Sequence, residues 1–382
     1  MRVPKSTAAK SLNPVACLPR VPEACFWEIT DACNLRCIHC EANAGHAASD
    51  ELSTEEALKL VAELRDAGCR TVHLTGGEPL VRRDWPVIAR ALSDAEIAVS
   101  VITNGVRADS HAIATMLDAG VTSVSISLDG NREVHDAIRL PANPQAPSRY
   151  DAAIRAIELA VASPLRTGVI TQVHRHNLDD LGRMHEQMAS LGVDVWQVQV
   201  CMPLGRLLAF PHRYLIEPEQ LGPLQAELAR FIRDGRVRIA VADNIGYYGR
   251  HESTLRGSVK GIESFFMGCV AGCRVVAVCS NGDVKGCPSH TREFVVGNVR
   301  RESFREIWAD RQRFAYNTAW KEDLLEGGCR ECPYRRICRA GCTTMAYALT
   351  GTIYDNPYCV QRITAARERS VPKRRAPKDV TA

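Results

Sequence analysis

The sequence predicts an α/β protein built on a parallel sheet, and three observations support this. From about residue 26 to residue 200, short apolar runs rich in β-branched residues alternate with amphipathic segments of helical period. Six strand–helix units follow one another, and such units form a parallel sheet with helices outside it. Turns containing glycine or asparagine follow the strands, at the sheet edge where chemistry usually gathers.

The elements can be assigned in chain order. Strands are predicted over residues 25–30, 71–74, 98–102, 123–128, 167–173 and 193–200. Helices are predicted over residues 57–67, from 85 onward, and over 111–119, 150–161 and 179–190. Ser53 and Glu56 have the spacing of a capping box before the first helix, and Gly68 and Gly120 end two of the helices.

Beyond this core the composition changes. We expect an N-terminal arm over residues 1–24, an α/β core over 25–200, a bridging helical region over 201–262, a cysteine-rich domain over 263–365 and a disordered basic tail over 366–382. The bridge contains an amphipathic helix that begins near Glu217 and reaches at least Phe231. The short arm leaves no room for an additional peptide-binding domain.

Composition restricts the possible functions. The net charge of +4 is too small to indicate nucleic acid, and no apolar run approaches the ~20 residues of a membrane span. The first 18 residues lack the apolar segment of a secretory signal, so we expect a cytoplasmic protein. Sixteen cysteines in such a chain indicate metal ligands rather than disulfides.

Three of these cysteines stand together directly after the first strand. Cys33, Cys37 and Cys40 have the spacing C-x3-C-x2-C. Neither a helix nor a strand puts all three sulfurs on one side, so the segment is predicted to be a loop around a metal. An all-sulfur ligand set favours zinc or an iron–sulfur cluster. Structural zinc requires a fourth protein ligand nearby, whereas a [4Fe–4S] cluster on three cysteines leaves one iron open.

The same spacing, followed by Gly76-Gly77-Glu78-Pro79 after the second strand, resembles the radical S-adenosylmethionine (SAM) superfamily. The resemblance implies a partial (β/α)6 barrel of TIM type. It implies that Cys33, Cys37 and Cys40 hold a [4Fe–4S] cluster whose open iron chelates SAM. Reductive cleavage of SAM then yields a 5'-deoxyadenosyl radical, which abstracts a hydrogen atom.

The resemblance also assigns the surroundings of SAM. His39 would lie near the adenine. The glycine turn and Glu78 would receive the amino group, since backbone carbonyls and a carboxylate accept hydrogen bonds from ammonium. Ser127 and Arg139 would contact the ribose and carboxylate. The ordinary alternative for Arg139 is a surface pair with Asp136. Asn104 and Gln199 are weaker candidates for the ribose and adenine edges, and His174 and His176 receive no role.

The C-terminal cysteines resemble the SPASM domain, which extends radical SAM enzymes that mature peptides. The turn at Asn281 and Gly282 predicts a hairpin within it. The resemblance implies two auxiliary [4Fe–4S] clusters, one held by Cys269, Cys273, Cys287 and Cys342, the other by Cys329, Cys332, Cys338 and Cys359. On spacing alone a pair of zinc sites stays open. The remaining thiols are left unassigned or structural: Cys17, Cys25, Cys69, Cys201 and Cys279.

This resemblance implies oxidative modification of a ribosomal precursor peptide, by crosslinking, dehydrogenation or decarboxylation. Its partners would be that peptide, a low-potential donor such as flavodoxin or ferredoxin, and a separate peptide-recognition protein. One alternative is an enzyme that acts on a small molecule, such as a haem or haem d1 tetrapyrrole side chain, a sugar or a cyclitol. Another alternative is that the protein is a non-catalytic iron–sulfur electron carrier. Sulfatase-maturing relatives have an aspartate where this chain has Pro288, so formylglycine formation is not expected.

Overall fold

The computed structural model describes residues 21–259 and 262–370. Most of the expected N-terminal arm, with Cys17, and the tail from residue 371 lie outside the described residues. None of the described helices combines the length and apolar character needed to cross a membrane.

The α/β class predicted from the sequence is confirmed. One sheet of ten strands has the order β12-β11-β10-β1-β2-β3-β4-β5-β6-β7, and β8 and β9 form a separate pair. The strands are β1 (Ala24–Thr30), β2 (Thr71–Gly76), β3 (Ala98–Thr103), β4 (Val121–Ser127), β5 (Arg166–Val173), β6 (Val195–Val200), β7 (Arg238–Val241), β8 (Ser258–Val259), β9 (Ile262–Glu263), β10 (Val275–Val278), β11 (Asp283–Lys285) and β12 (Gly297–Asn298).

Helices connect the parallel strands, and a short helical C-terminal part follows the sheet. They are α1 (Thr54–Asp66), α2 (Trp85–Asp94), α3 (Ser110–Asp118), α4 (Arg132–Ile138), α5 (Arg149–Val161), α6 (Leu181–Leu191), α7 (Pro211–Tyr214), α8 (Leu221–Asp234), α9 (Glu252–Arg256), α10 (Phe304–Ala309), α11 (Ala315–Thr318), α12 (Gly327–Arg330), α13 (Arg335–Cys338), α14 (Thr343–Thr350) and α15 (Val360–Ser370). The capping box of Ser53 and Glu56 is present at α1, as predicted.

The structure departs from the sequence prediction in three places. The bridging region is not purely helical, because β7 pairs in parallel with β6 and extends the sheet. The cysteine-rich region continues the same sheet, since β10 pairs in parallel with β1. Helix α15 runs to Ser370, so the first residues of the expected disordered tail are helical. The hairpin turn predicted at Asn281 and Gly282 joins the antiparallel strands β10 and β11.

Side chains alternate between the two faces of the sheet, as the two-residue period of a strand requires. One face packs against the helices and is fully buried; Trp27 and Ile29 on β1 and Val198 on β6 belong to it. The opposite face carries Glu28 on β1 and the glutamines Gln197 and Gln199 on β6, which border a cavity. The sheet therefore has one apolar face that packs against helices and one face of mixed polarity that borders the cavity.

Candidate active site

A cavity of about 280 Å³ opens at the carboxyl ends of the parallel strands. We call it the SAM cavity, because all ten residues that the resemblance assigned to the cluster and SAM line it: Cys33, Cys37, His39, Cys40, Gly76, Gly77, Glu78, Asn104, Ser127 and Arg139. They come from the ends of four strands and from the loops that follow them. Residues more than one hundred positions apart are thus brought to one place.

The cysteine loop is irregular and is held by backbone hydrogen bonds to the segment after α4. The amide of Ile38 donates to Ile138 O at 2.8 Å, and the amide of Arg36 donates to Leu140 O at 2.7 Å. From the bridging region, Arg206 Nε donates to Cys37 O at 2.8 Å. The loop conformation is therefore set by the surrounding protein.

The three thiols of this loop are largely buried and close enough to affect one another. Burial raises the pKa of Cys33 to about 11 and that of Cys37 to about 12, and the neighbouring thiols, including Cys40, contribute to both increases. A cationic iron–sulfur cluster would bind these groups as thiolates and offset the cost of burying them. This donor set fits such a cluster. Among the described residues no three His, Cys, Asp or Glu side chains form a ready site for one ion, so the fit rests on donor type and proximity.

Gly76 and Gly77 are required by close packing of the β2 end against the loop after β1. Gly76 has φ +133°, and a Cβ there would lie 2.3 Å from Thr30 O. A Cβ at Gly77 would lie 2.2 Å from Ala32 O. Neither position can accommodate a side chain, so the backbone itself lines the cavity there and a ligand can approach it closely.

Glu78 is fully buried, and its carboxylate is already held by its own protein. Oε1 accepts from Leu80 N at 3.2 Å and from Thr103 Oγ1 at 2.8 Å, and Oε2 accepts from Asn104 N at 2.8 Å. The carboxylate thus ties the end of β2 to the end of β3. Three of its roughly four acceptor positions are used, which leaves one for a ligand.

Arg139 is a buried residue, and the surface pair with Asp136 considered from the sequence is wrong. Its Nε donates to Asp129 Oδ2 at 2.6 Å, and both side chains are almost inaccessible to solvent. Asp129 Oδ2 also lies 3.3 Å from His39 Nε2. Burial alone would raise the pKa of Asp129, but the guanidinium of Arg139, together with His39 and His135, outweighs burial and holds that pKa well below its usual range. Asp136 pairs instead with Arg149 at 3.6 Å.

The weaker candidates divide into two groups. Asn104 lines the SAM cavity, but its amide group donates to Asn34 Oδ1 at 2.8 Å. Gln199 also lines it and accepts a hydrogen bond from Gln197 Nε2 at 3.1 Å. His174 and His176 are not among the lining residues, in agreement with the absence of any predicted role.

The thiols within each of the two C-terminal sets that the resemblance implies lie close together in space. The first set consists of Cys269, Cys273, Cys287 and Cys342. Burial is the main cause that raises the pKa values of Cys273, Cys287 and Cys342, and the nearby thiol of Cys269 raises all three further. The backbone amide of Cys342 donates to Tyr247 Oη at 2.6 Å, which fixes the last member. This set lies beside the SAM cavity, because Pro288 and Ser289 line that cavity.

The second set consists of Cys329, Cys332, Cys338 and Cys359. Burial raises the pKa of Cys338 well above its usual value, and the other three thiols add to this. Cys338 and Cys359 belong to a small apolar cluster with Tyr247 and Phe266. Four neighbouring thiols in each set, buried or half-buried, fit one four-cysteine cluster apiece.

Several cavity residues were missed by sequence reasoning. Glu28, Glu41 and Gln172 bring two carboxylates and an amide to the side of the SAM cavity that faces Pro288 and Ser289. Burial raises the pKa of Glu41, whose carboxyl group hydrogen bonds with Ser289 and Gln172. The alternation along β1 and β5 could have indicated Glu28 and Gln172, but Glu41 stands in a loop without any period.

Comparison with known proteins agrees with this arrangement. A largely parallel sheet with a cysteine loop at its carboxyl edge and eight further clustered thiols defines a cysteine-rich α/β protein. Residues 27–188 match the family described as the radical SAM superfamily, and residues 269–333 match SPASM, an iron–sulfur cluster-binding domain. The chain therefore belongs to the radical SAM superfamily and carries a SPASM domain. These families imply [4Fe–4S] chemistry and SAM binding.

Relatives of the chain include proteins named for different substrates. It is 30% identical over 360 residues to the AdoMet-dependent heme synthase of Methanosarcina barkeri, covering 90% of this chain and 98% of that protein. It is 30% identical over 382 residues to the mycofactocin maturase MftC of Mycobacterium ulcerans, covering 93% of each. Among solved structures, native anSMEcpe with bound AdoMet has a TM-score of 0.70 at 18% identity, covering 90% of this chain and 96% of that one. That likeness concerns the fold.

Proposed function

We propose that this enzyme oxidatively modifies a ribosomal precursor peptide, forming a crosslink, a dehydrogenated residue or a decarboxylated one. The observation that carries the proposal is the SAM cavity, in which the cysteine loop and the glycine turn meet residues of the SPASM region. When bound, the cluster and SAM supply a 5'-deoxyadenosyl radical that abstracts a hydrogen atom from the substrate. Mycofactocin maturase MftC and the PqqA peptide cyclase of Granulibacter bethesdensis, 28% identical over 347 residues, support a peptide substrate.

In this proposal the chain's own residues position SAM. Cys33, Cys37 and Cys40 hold the cluster, and the bare backbone at Gly77 receives the amino group. Arg139 would bind the SAM carboxylate through its terminal nitrogens, since its Nε is held by Asp129. Ser127, Asn104 and His39 would contact the ribose and adenine. Buried thiols of this kind require a reducing compartment, so we place the enzyme in the cytoplasm.

The two C-terminal thiol sets are proposed to hold auxiliary [4Fe–4S] clusters. With four cysteines each, they have no open iron, so their role would be to accept the electron that the substrate radical loses. A flavodoxin or ferredoxin would supply the electron for SAM cleavage. A separate peptide-recognition protein would present the precursor.

A second candidate is oxidative decarboxylation of a tetrapyrrole side chain, which the similarity to the heme synthase of Methanosarcina barkeri favours. Both candidates share the same radical step and differ in the substrate. Mass spectrometry of a candidate peptide co-expressed with this chain separates them. A mass loss of hydrogen or carbon dioxide supports the peptide, whereas an unmodified peptide together with a converted porphyrin supports the tetrapyrrole.

The radical step has its own test. We expect reduced, reconstituted protein to release 5'-deoxyadenosine from SAM, and Cys37→Ala to abolish this release while about two thirds of the iron remains, because the three sets have separate ligands. The matched control is Cys69→Ala, which removes another buried thiol outside the three sets and should retain release. Unchanged release in Cys37→Ala would contradict the ligand assignment.

A further inference from the structure

A second chamber opens from the SAM cavity on the side of the SPASM region. It has a volume of about 440 Å³, and Glu28, Glu41 and Ala42 line both cavities. We call it the outer chamber. The SAM cavity has only about the volume of one modest ligand, and the cluster and SAM residues line it. The shared boundary therefore connects the residues that would hold SAM to a second space that is large enough for part of a substrate.

The walls of the outer chamber carry an excess of negative charge. Six carboxylates line it: Glu28, Asp31, Glu41, Asp50, Asp283 and Glu293. The two cationic side chains that line it are Lys285 and Arg292. Lys285 is committed to the protein, because its Nζ donates to Pro288 O at 2.8 Å and to His290 O at 3.2 Å and lies 3.5 Å from Glu28 Oε1. Arg292 is exposed at the rim.

Two polar groups along the path have no partner among the described residues. Both ring nitrogens of His290 are buried without a hydrogen bond, and this residue, only 3% exposed, lines the outer chamber. The buried Oε1 of Gln172 is likewise unsatisfied and faces the SAM cavity. An unsatisfied buried polar group costs free energy unless a ligand or water completes it. A ligand with hydrogen-bond donors would satisfy the oxygen of Gln172 and the unprotonated ring nitrogen of His290.

We propose that the outer chamber binds a lysine or arginine side chain of the precursor peptide, close to the residue that is modified. The inference rests on the proposed function and narrows its substrate class. Because the two cavities share lining residues, the cation would stand only a few residues along the peptide from the modified one. The negative walls would attract such a peptide and disfavour substrates that carry carboxylates.

The test uses reconstituted full-length enzyme with SAM and an equimolar set of acetylated, amidated hexapeptides with lysine, arginine, glutamine or glutamate at one central position. Equilibrium dialysis followed by mass spectrometry measures how much of each peptide the enzyme retains. The amount of 5'-deoxyadenosine is measured in the same samples. We expect lysine and arginine peptides to be enriched roughly tenfold over glutamate peptides at low salt, and less at high salt.

Two variants locate the effect. Glu41→Gln removes the carboxyl group at the boundary of the two cavities, and the double variant Asp50→Asn with Glu293→Gln changes exposed residues only, so that its folding is safe. Each should lower the enrichment about threefold, whereas Glu158→Gln, on the exposed side of α5, should leave it unchanged.

The possible outcomes separate the two proposals. Release of 5'-deoxyadenosine without any preference for cationic peptides would overturn the inference and leave the proposed function standing. Absence of 5'-deoxyadenosine would contradict the proposed function itself. Binding of coproporphyrin III, a porphyrin with four carboxylates, more tightly than the lysine peptides would overturn the inference in favour of an anionic substrate. Spermidine that competed as well as the best peptide would favour a small amine and overturn the peptide assignment.

Discussion

At the scale of single residues, the cavity is controlled by charges that the protein buries and pairs. Asp129 is completely buried, and its Oδ2 is contacted by both Arg139 and His39. This pairing fixes the orientation of the guanidinium at the cavity wall. A buried ion pair of this kind contributes more to geometry than to net stability, because desolvation offsets much of the attraction.

The first prediction concerns this pair. Asp129→Asn leaves a buried guanidinium without its carboxylate, so we expect the free energy of unfolding to fall by about 3–5 kcal/mol. The affinity for SAM should fall as well, since Arg139 loses its orientation. Chemical denaturation and SAM titration measure the two effects. The control is Asp136→Asn, which removes the charge from the half-buried ion pair with Arg149. This change should lower the free energy of unfolding by about 1 kcal/mol or less. Equal losses in both variants would contradict a special role for Asp129.

The partner of Arg139 also marks a limit of sequence reasoning. The family resemblance implied that Arg139 belongs to the site, and Arg139 does line the cavity. The resemblance did not distinguish between Asp129 and Asp136, because both lie within ten positions and only the packing of α4 decides which is near. Glu41 was missed for a related reason, since a loop has no periodicity that reveals which way a side chain points.

At the scale of elements, most strands and helices of the core were predictable because their period and caps are local. The strand β7 was missed because it has four residues and no strong alternation. The pairing of β10 with β1 was not predictable, since it joins segments about 250 positions apart. It has consequences for function, because it carries Pro288 and Ser289 to the SAM cavity.

The second prediction tests the contact between elements at the glycine turn. Gly77→Ala would place a Cβ 2.2 Å from Ala32 O, so the turn or the cysteine loop must move. We expect a loss of about 2 kcal/mol or more in stability and a large loss of SAM affinity, measured by denaturation and titration. Gly222→Ala is the matched control: it has nothing within 4 Å, lies in α8, and should stabilise by about 0.5–1 kcal/mol. If Gly77→Ala left both the stability and the SAM affinity unchanged, this description of the packing would be contradicted.

At the scale of the whole molecule, the shared sheet places three thiol sets in one continuous body. The first C-terminal set is next to the SAM cavity through Cys287 and the loop that follows it. The second set is tied to the first by sequence, since Cys338 and Cys342 are four positions apart and belong to different sets. Tyr247 bridges them, because it packs with Cys338 and accepts from the amide of Cys342. This order suggests a path for an electron away from the substrate.

The third prediction follows from that order. If the second set holds a cluster that passes on the electron, Cys338→Ala should still release 5'-deoxyadenosine from SAM, because Cys33, Cys37 and Cys40 remain intact. It should nevertheless fail to form the final product, because the substrate radical then has no path for its electron and instead takes one electron from the low-potential donor and one proton from water, which restores the substrate. The measurement compares 5'-deoxyadenosine with modified product in the same reaction; their ratio should rise at least about tenfold over that of the unaltered enzyme. Cys279→Ala, a thiol outside the three sets, is the control and should keep the ratio low. A fully active Cys338→Ala would mean that the second set only stabilises the fold.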